Sequence, residues 1–146
     1  MISVQLENNG SDLSVIDKKW ISNITENILM DHNHKNANIL IIFSSDIHLR
    51  DLKKEYFNQD VYTDTISFNL ENPKEPIDGE IYISLDRINE NAVIFKQKFE
   101  REYKRVIIHS ILHLMGFDDQ ADEEKRKMTK LEDYYLNFNK KIFIVK

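Results

Sequence analysis

The residues best equipped for chemistry lie close together near the end of the chain, in His109-Ser-Ile-Leu-His113-Leu-Met-Gly116-Phe-Asp118-Asp119. Histidines four apart share one helix face, roughly 40° apart at about 100° per residue, with both imidazoles aimed the same way. Gly116 follows where a helix would stop, because glycine takes the left-handed C′ conformation without strain. Past that stop the chain can turn back and bring Asp118 or Asp119 beside the second imidazole. Two ring nitrogens and one carboxylate oxygen, with a fourth position open, are what a catalytic zinc site requires. The chemistry expected is that of a metal-bound water held by His109, His113 and an acid, Asp119 or its competitor Asp118, with no separate protein group assigned as catalytic.

The full pattern, His-x3-His-x2-Gly-x2-Asp, matches the metal frame of the metzincin proteases in every spacing. Two departures matter. Ser110 stands where those proteases carry the glutamate that serves as general base, and a serine cannot take that proton at neutral pH. Asp119 replaces the last histidine, and a carboxylate binds zinc at normal distance, so the frame survives the exchange. The peptidase mechanism is lost and the metal site is kept. The plainer alternative leaves both histidines as ordinary helix residues and makes Asp118 or Asp119 the N-cap of the next helix. The glycine stop and the correctly spaced acid favour the metal.

The rest of the chain must position this group. Its 146 residues suit one domain with a real core, and 41% are apolar. The absence of cysteine excludes disulfides and thiolate metal sites. No apolar run approaches the roughly 20 residues that span a bilayer, and the N-terminus lacks the basic and apolar regions of a signal peptide. A soluble, cytoplasmic protein is expected. The net charge of −5 mildly opposes non-specific nucleic-acid binding without excluding a local basic patch.

Residues 2–7 alternate apolar and polar and predict a strand. Ser14, with Asp17 three later, suggests a capping box for a helix over 15–30 carrying Ile16, Trp20, Ile24 and Ile28 inward. His32 and His34 fall in a polar loop, read as solvated. The run Ile39 to Phe43 predicts a buried strand. Ser45 or Asp46 can cap a helix over about 46–57, with Leu49, Leu52 and Tyr56 inward, His48 at the surface, and Arg50, Lys53 and Lys54 off the apolar stripe. Residues 63–68 and 80–84 predict two further strands, paired antiparallel. Asp86 is the expected cap of a helix through Ile88, Ala92 and Phe95. Residues 96–105 carry a local charge of +3 and lead into the histidine helix. A last helix over 121–139 bears Met128, Leu131, Tyr135 and Phe138, with its Lys and Glu content read as a solvated face. The tail 140–146 reads as an edge strand or a packing tail. These readings make four strands and about five helices in a single domain.

The histidine stretch also resembles the YbeY family of bacterial rRNA maturation factors, whose signature is His-Gly-x-Leu-His-Leu-x-Gly-Tyr-Asp-His. Leu52-Lys-Lys-Glu-Tyr56 is similar to that family's Leu-Asn-Arg-x-Tyr/Phe helix. Tyr62-Thr-Asp-Thr-Ile-Ser-Phe68 is similar to its Thr-Asp-Val-Leu-Ser-Phe strand, and Gly79-Glu-Ile-Tyr-Ile-Ser84 to its Gly-Asp-Ile-x-Ile-Ser strand. The resemblance implies an α+β fold, a four-stranded mixed sheet surrounded by about five helices in a single domain. It also implies a zinc-dependent, single-strand-specific endoribonuclease in ribosomal RNA processing, including the small-subunit 3′ end, and in ribosome quality control. It implies Zn²⁺ as cofactor on His109, His113 and Asp119, and ribosomal RNA and the ribosome as partners, with neither membrane nor DNA. The family's functional arginine falls on Phe57. Lys53 and Lys54 are the cations expected to meet RNA in its place, with the 96–105 segment as a further basic stretch. The alternative is a metal-stabilised ribosome assembly factor that does not cut.

Overall fold

The computed structural model describes the backbone of residues 1–145 and the side chains of residues 1–137. Four strands form one mixed sheet: β1 (Ile2–Asn8), β2 (Ala37–Phe43), β3 (Thr65–Asn69) and β4 (Ile77–Ile83). Their order is β1-β2-β4-β3, with β1, β2 and β4 parallel and β3 antiparallel to β4 on the outer edge. The five α-helices are α1 (Lys18–Asp31), α2 (Asp46–Phe57), α3 (Leu85–Ile94), α4 (Phe99–Leu114) and α5 (Asp122–Val145). This is the α+β architecture that the family resemblance implies. Among the described residues no helix is long and apolar enough to cross a membrane.

The sheet's period of two decides what each face carries. In β4, Ile77, Gly79, Ile81 and Ile83 are buried in alternation with partly exposed Asp78, Glu80 and Tyr82. The register sets Thr65 and Ser67 of β3 beside Ile83 and Ile81, and Ile66 and Phe68 beside Tyr82 and Glu80. α4 packs against the first set, and rings from α2 pack against the second. The edge strand β3 therefore lies between the histidine helix and the end of α2. Gly79 allows the close approach of α4. A Cβ there would meet Leu114 Cδ1 at 2.6 Å and Ile39 Cδ1 at 3.3 Å.

Several local expectations change. Asp17, not Ser14, caps α1 by accepting the Trp20 N–H at 3.0 Å. Ser14 belongs to a short 3₁₀ turn at Leu13–Val15 capped by Asp12. Ser45 and Ser84 cap α2 and α3. Asp46 and Asp86 instead occupy the first turns, where a negative charge also suits the helix dipole. Tyr56, expected inward, is exposed. His48, expected at the surface, is half-buried: its Nδ1 pairs with Ser44 Oγ at 2.5 Å and its ring meets Tyr82 edge-on. His32 and His34 are half-buried, and His32 Nδ1 bonds Ile28 O at 2.9 Å. α5 continues through the segment read as a strand or tail, as far as Val145. Phe138's side chain and all of Lys146 lie outside the described residues.

Candidate metal centre and its cleft

α4 buries Ile107, Ile108, Ile111, Leu112 and Leu114 and leaves His109 and His113 half-buried at a cleft. Ser110 fixes the helix's rotation. It is 0% exposed, and its hydroxyl donates to Val106 O at 2.7 Å and therefore accepts from Thr65 Oγ1 at 2.8 Å. Ser67 Oγ donates to the Ser110 carbonyl at 3.3 Å. All the polar atoms of this buried residue are satisfied by β3 and α4. The position where proteases of this frame keep their base is thus an anchor between helix and sheet.

The helix ends at Gly116, whose φ of +97° is the left-handed conformation. Phe117 N–H donates to Leu112 O at 3.1 Å and Gly116 N–H to His113 O at 3.0 Å, the two bonds of a Schellman stop. The turn returns Asp119 to the histidines. Its Oδ2 lies 3.5 Å from His109 Nε2 and its Oδ1 3.6 Å from His113 Nε2. One ligand atom from each of the three residues falls within 4.8 Å of the others. Asp118 is exposed and uses Oδ1 to accept the Asp119 N–H at 2.7 Å. Neither acid is drawn into capping α5, where Glu124 reaches back to the Ala121 N–H at 3.0 Å.

Glu132 of α5, 6% exposed, holds His109 from behind. Its Oε2 accepts from His109 Nδ1 at 2.6 Å, while Oε1 accepts from Arg105 at 2.7 Å. With the proton on Nδ1, the Nε2 lone pair points toward Asp119 and His113. Burial works against a charge on His109, yet the Glu132 hydrogen bond and charge, backed by Asp119 and Asp64, outweigh it and raise the pKa. Burial also depresses His113, and the neighbouring His109 adds to that depression. An imidazole pair beside a carboxylate, with one ring's tautomer fixed by a buried acid, is a donor set that fits a divalent transition metal.

These three side chains lie in a cleft of about 570 Å³. β3 and the strand's lead-in contribute Asp64, Thr65 and Ser67, and α2 contributes Lys53 and Phe57. Lys54 is exposed and lies outside this lining. Lys104 and Arg105, from the basic stretch before the histidines, are ion-paired to Glu100 and to Glu132 and Asp133. Asp64 is a cleft residue that the sequence did not single out. Burial raises its pKa, against the opposing effects of His109 and of hydrogen bonds from Asn91 and the Asp64 and Thr65 backbone. Glu132 was also missed, and one clue existed. It lies four residues after Met128 and three before Tyr135, in line with the apolar stripe of α5.

Residues 5–140 match the family model described as Endoribonuclease YbeY. The chain is 45% identical over 103 residues to the Endoribonuclease YbeY of Karelsulcia muelleri, covering 70% of this chain and 72% of that one. It is 37% identical over 135 residues to the protein of the same name from Flavobacterium psychrophilum, covering 92% and 93%. A Thermotoga maritima protein solved in solution is similar with a TM-score of 0.61 and 27% identity, covering 97% of this chain and 93% of that one.

Proposed function

The chain belongs to the YbeY family of endoribonucleases, and on that premise we propose that its cleft binds zinc and cuts single-stranded RNA during ribosomal RNA maturation. The observation that supports this most is the convergence of His109, His113 and Asp119 on one point in a cleft, with His109 held by buried Glu132. Two imidazoles and one carboxylate, with a fourth position open, are a donor set that suits catalytic Zn²⁺. When bound, such an ion supplies Lewis acidity, bringing a water's pKa toward neutrality and stabilising charge on a phosphoryl oxygen.

The chain's own residues would do the remaining work. Glu132 keeps the His109 proton on Nδ1, so that Nε2 stays available as a donor. Lys53 brings positive charge to the cleft wall, where a phosphodiester would develop negative charge as it reacts. Lys54, one position further along α2, would meet the RNA backbone outside the cleft. The open edge of β3 and the polar side chains of Thr65 and Ser67 offer hydrogen-bonding groups along the path of a strand. The small-subunit 3′ end is the processing site that this reading assigns, with ribosome quality control as a second role and the cytoplasm as the compartment.

His113→Ala is expected to lose both bound zinc and cleavage of single-stranded RNA. Cleavage that persists with no metal bound overturns this reading. A second reading, a metal-stabilised ribosome assembly factor that does not cut, is favoured by the net charge of −5 and by Phe57 at the arginine position. A chelator titration followed by both cleavage and thermal unfolding separates the two. Lost stability with no cleavage at any metal loading selects the assembly factor.

A further inference from the structure

Phe57, the last residue of α2, places an aromatic ring in the wall of an otherwise mostly polar cleft and remains 44% exposed. The ring is held in place. Phe68 lies nearly parallel to it, at 25° and 5.9 Å between centroids. Phe68 is in turn braced edge-on by Tyr56 at 5.4 Å and Tyr82 at 6.0 Å. Lys53 Nζ rests over the Phe57 ring, 4.6 Å from its centroid. An exposed aromatic plane backed by Phe68 and carrying a lysine ammonium, in the same cleft as His109, His113 and Asp119, has no role in the chain's own packing that requires its exposure.

We propose that Phe57 is a stacking platform for one unpaired nucleobase of the RNA, with Lys53 moving from the ring to the adjoining phosphate. This rests on the endoribonuclease reading of the cleft and adds to it the source of strand selectivity. Every base offers a π face, so stacking tolerates any sequence. A base inside a duplex already has both faces covered, so the platform accepts only a strand whose bases are free. The ammonium that now covers the ring is exchanged for the base and gains a phosphate partner, so neither the ring nor the charge is left without a contact.

The test uses the full chain and a single-stranded oligoribonucleotide carrying 2-aminopurine at several positions, whose fluorescence falls when a base stacks. The parent chain should bind and quench. Phe57→Ala should bind roughly 5- to 150-fold more weakly, the range of one lost base–aromatic stack, and should not quench. Phe57→Trp should keep both properties, whereas Phe57→Leu, apolar but without a π face, should restore neither. Thermal unfolding of each variant verifies that all are folded. Undiminished binding by Phe57→Ala, or Phe57→Leu performing as well as Phe57→Trp, overturns the platform while leaving the endoribonuclease reading intact. A parent chain that binds no single-stranded RNA overturns both.

Discussion

His109 Nδ1 and Glu132 Oε2 are 2.6 Å apart, joining the histidine-bearing helix α4 to α5 across 23 residues of sequence. The same carboxylate holds Arg105, which also reaches Asp133, so α5 is attached to α4 by a compact charged group. Removing the carboxylate frees the His109 ring to rotate and to place its proton on either nitrogen. Glu132→Ala should lower zinc affinity about 10- to 100-fold. Competition against a chromophoric chelator measures this, and unchanged affinity would remove Glu132 from the site.

Asp118 and Asp119 are adjacent in sequence and unequal in space. Asp119→Ala leaves two donors where there were three, and the purified protein should contain little zinc. Asp118→Ala loses only a local hydrogen bond to the Asp119 N–H and should retain the metal. Metal content of the two variants decides the matter, and the opposite pattern would transfer the ligand role to Asp118.

Lys53 and Lys54 separate by their response to salt. A side chain that neutralises one phosphate of a single strand contributes roughly 0.7 to the slope of log affinity against log salt concentration. Lys53→Ala should lower the slope by about that amount, and Lys54→Ala, outside the cleft lining, by less. Equal slopes for the parent chain and Lys53→Ala would show that this ammonium meets no phosphate.

Tyr135 gives the fold an alkaline limit. Its hydroxyl donates to Asp31 Oδ2 at 3.0 Å, and its ring is 2% exposed. Burial raises the phenol's pKa, and the Asp31 hydrogen bond and charge add to the rise. Below the unfolded-chain value of about 10 the phenol is protonated in both states, and its stabilisation is complete. As pH rises through that value the unfolded chain releases the proton while the folded chain keeps it, so stability falls. Tyr135→Phe should cost about 1 kcal/mol near neutrality and flatten this decline. Denaturant unfolding at pH 8 and pH 10.5 tests both, and identical pH slopes for the two proteins would contradict the assignment.

The sheet and its helices were legible because period two and period 3.6 record burial directly, as at Ile81 and Ile83 and in α4, although β4 begins at Ile77, earlier than the expected residue 80. The grouping of His109, His113 and Asp119 was legible because it is local: one helical turn, one glycine stop and a short return. Glu132 and Asp64 were not, since what brings them to His109 is packing between segments far apart in sequence. The caps were legible only in part. Ser45, one of two candidates, does cap α2, while Ser84 stands two residues before the expected Asp86 and Asp17 three after the expected Ser14, and the bond geometry of the first turn decides between such neighbours. α5 outran its expected end because the apolar stretch near residue 142 fits a helix as well as a strand.

Ser110 carries an implication for how chemistries can be exchanged on this scaffold. The spot that a peptide-cutting relative of the His-x3-His frame would give to its proton acceptor is here sealed under β3, in contact with Thr65 and Ser67. A glutamate introduced by one codon change would have to bring its charge into that sealed space, and it would cost the fold long before it met any substrate. Passage from RNA scission to proteolysis is therefore blocked at the level of single mutations. A lineage making that journey would first have to roll the helix about its own axis.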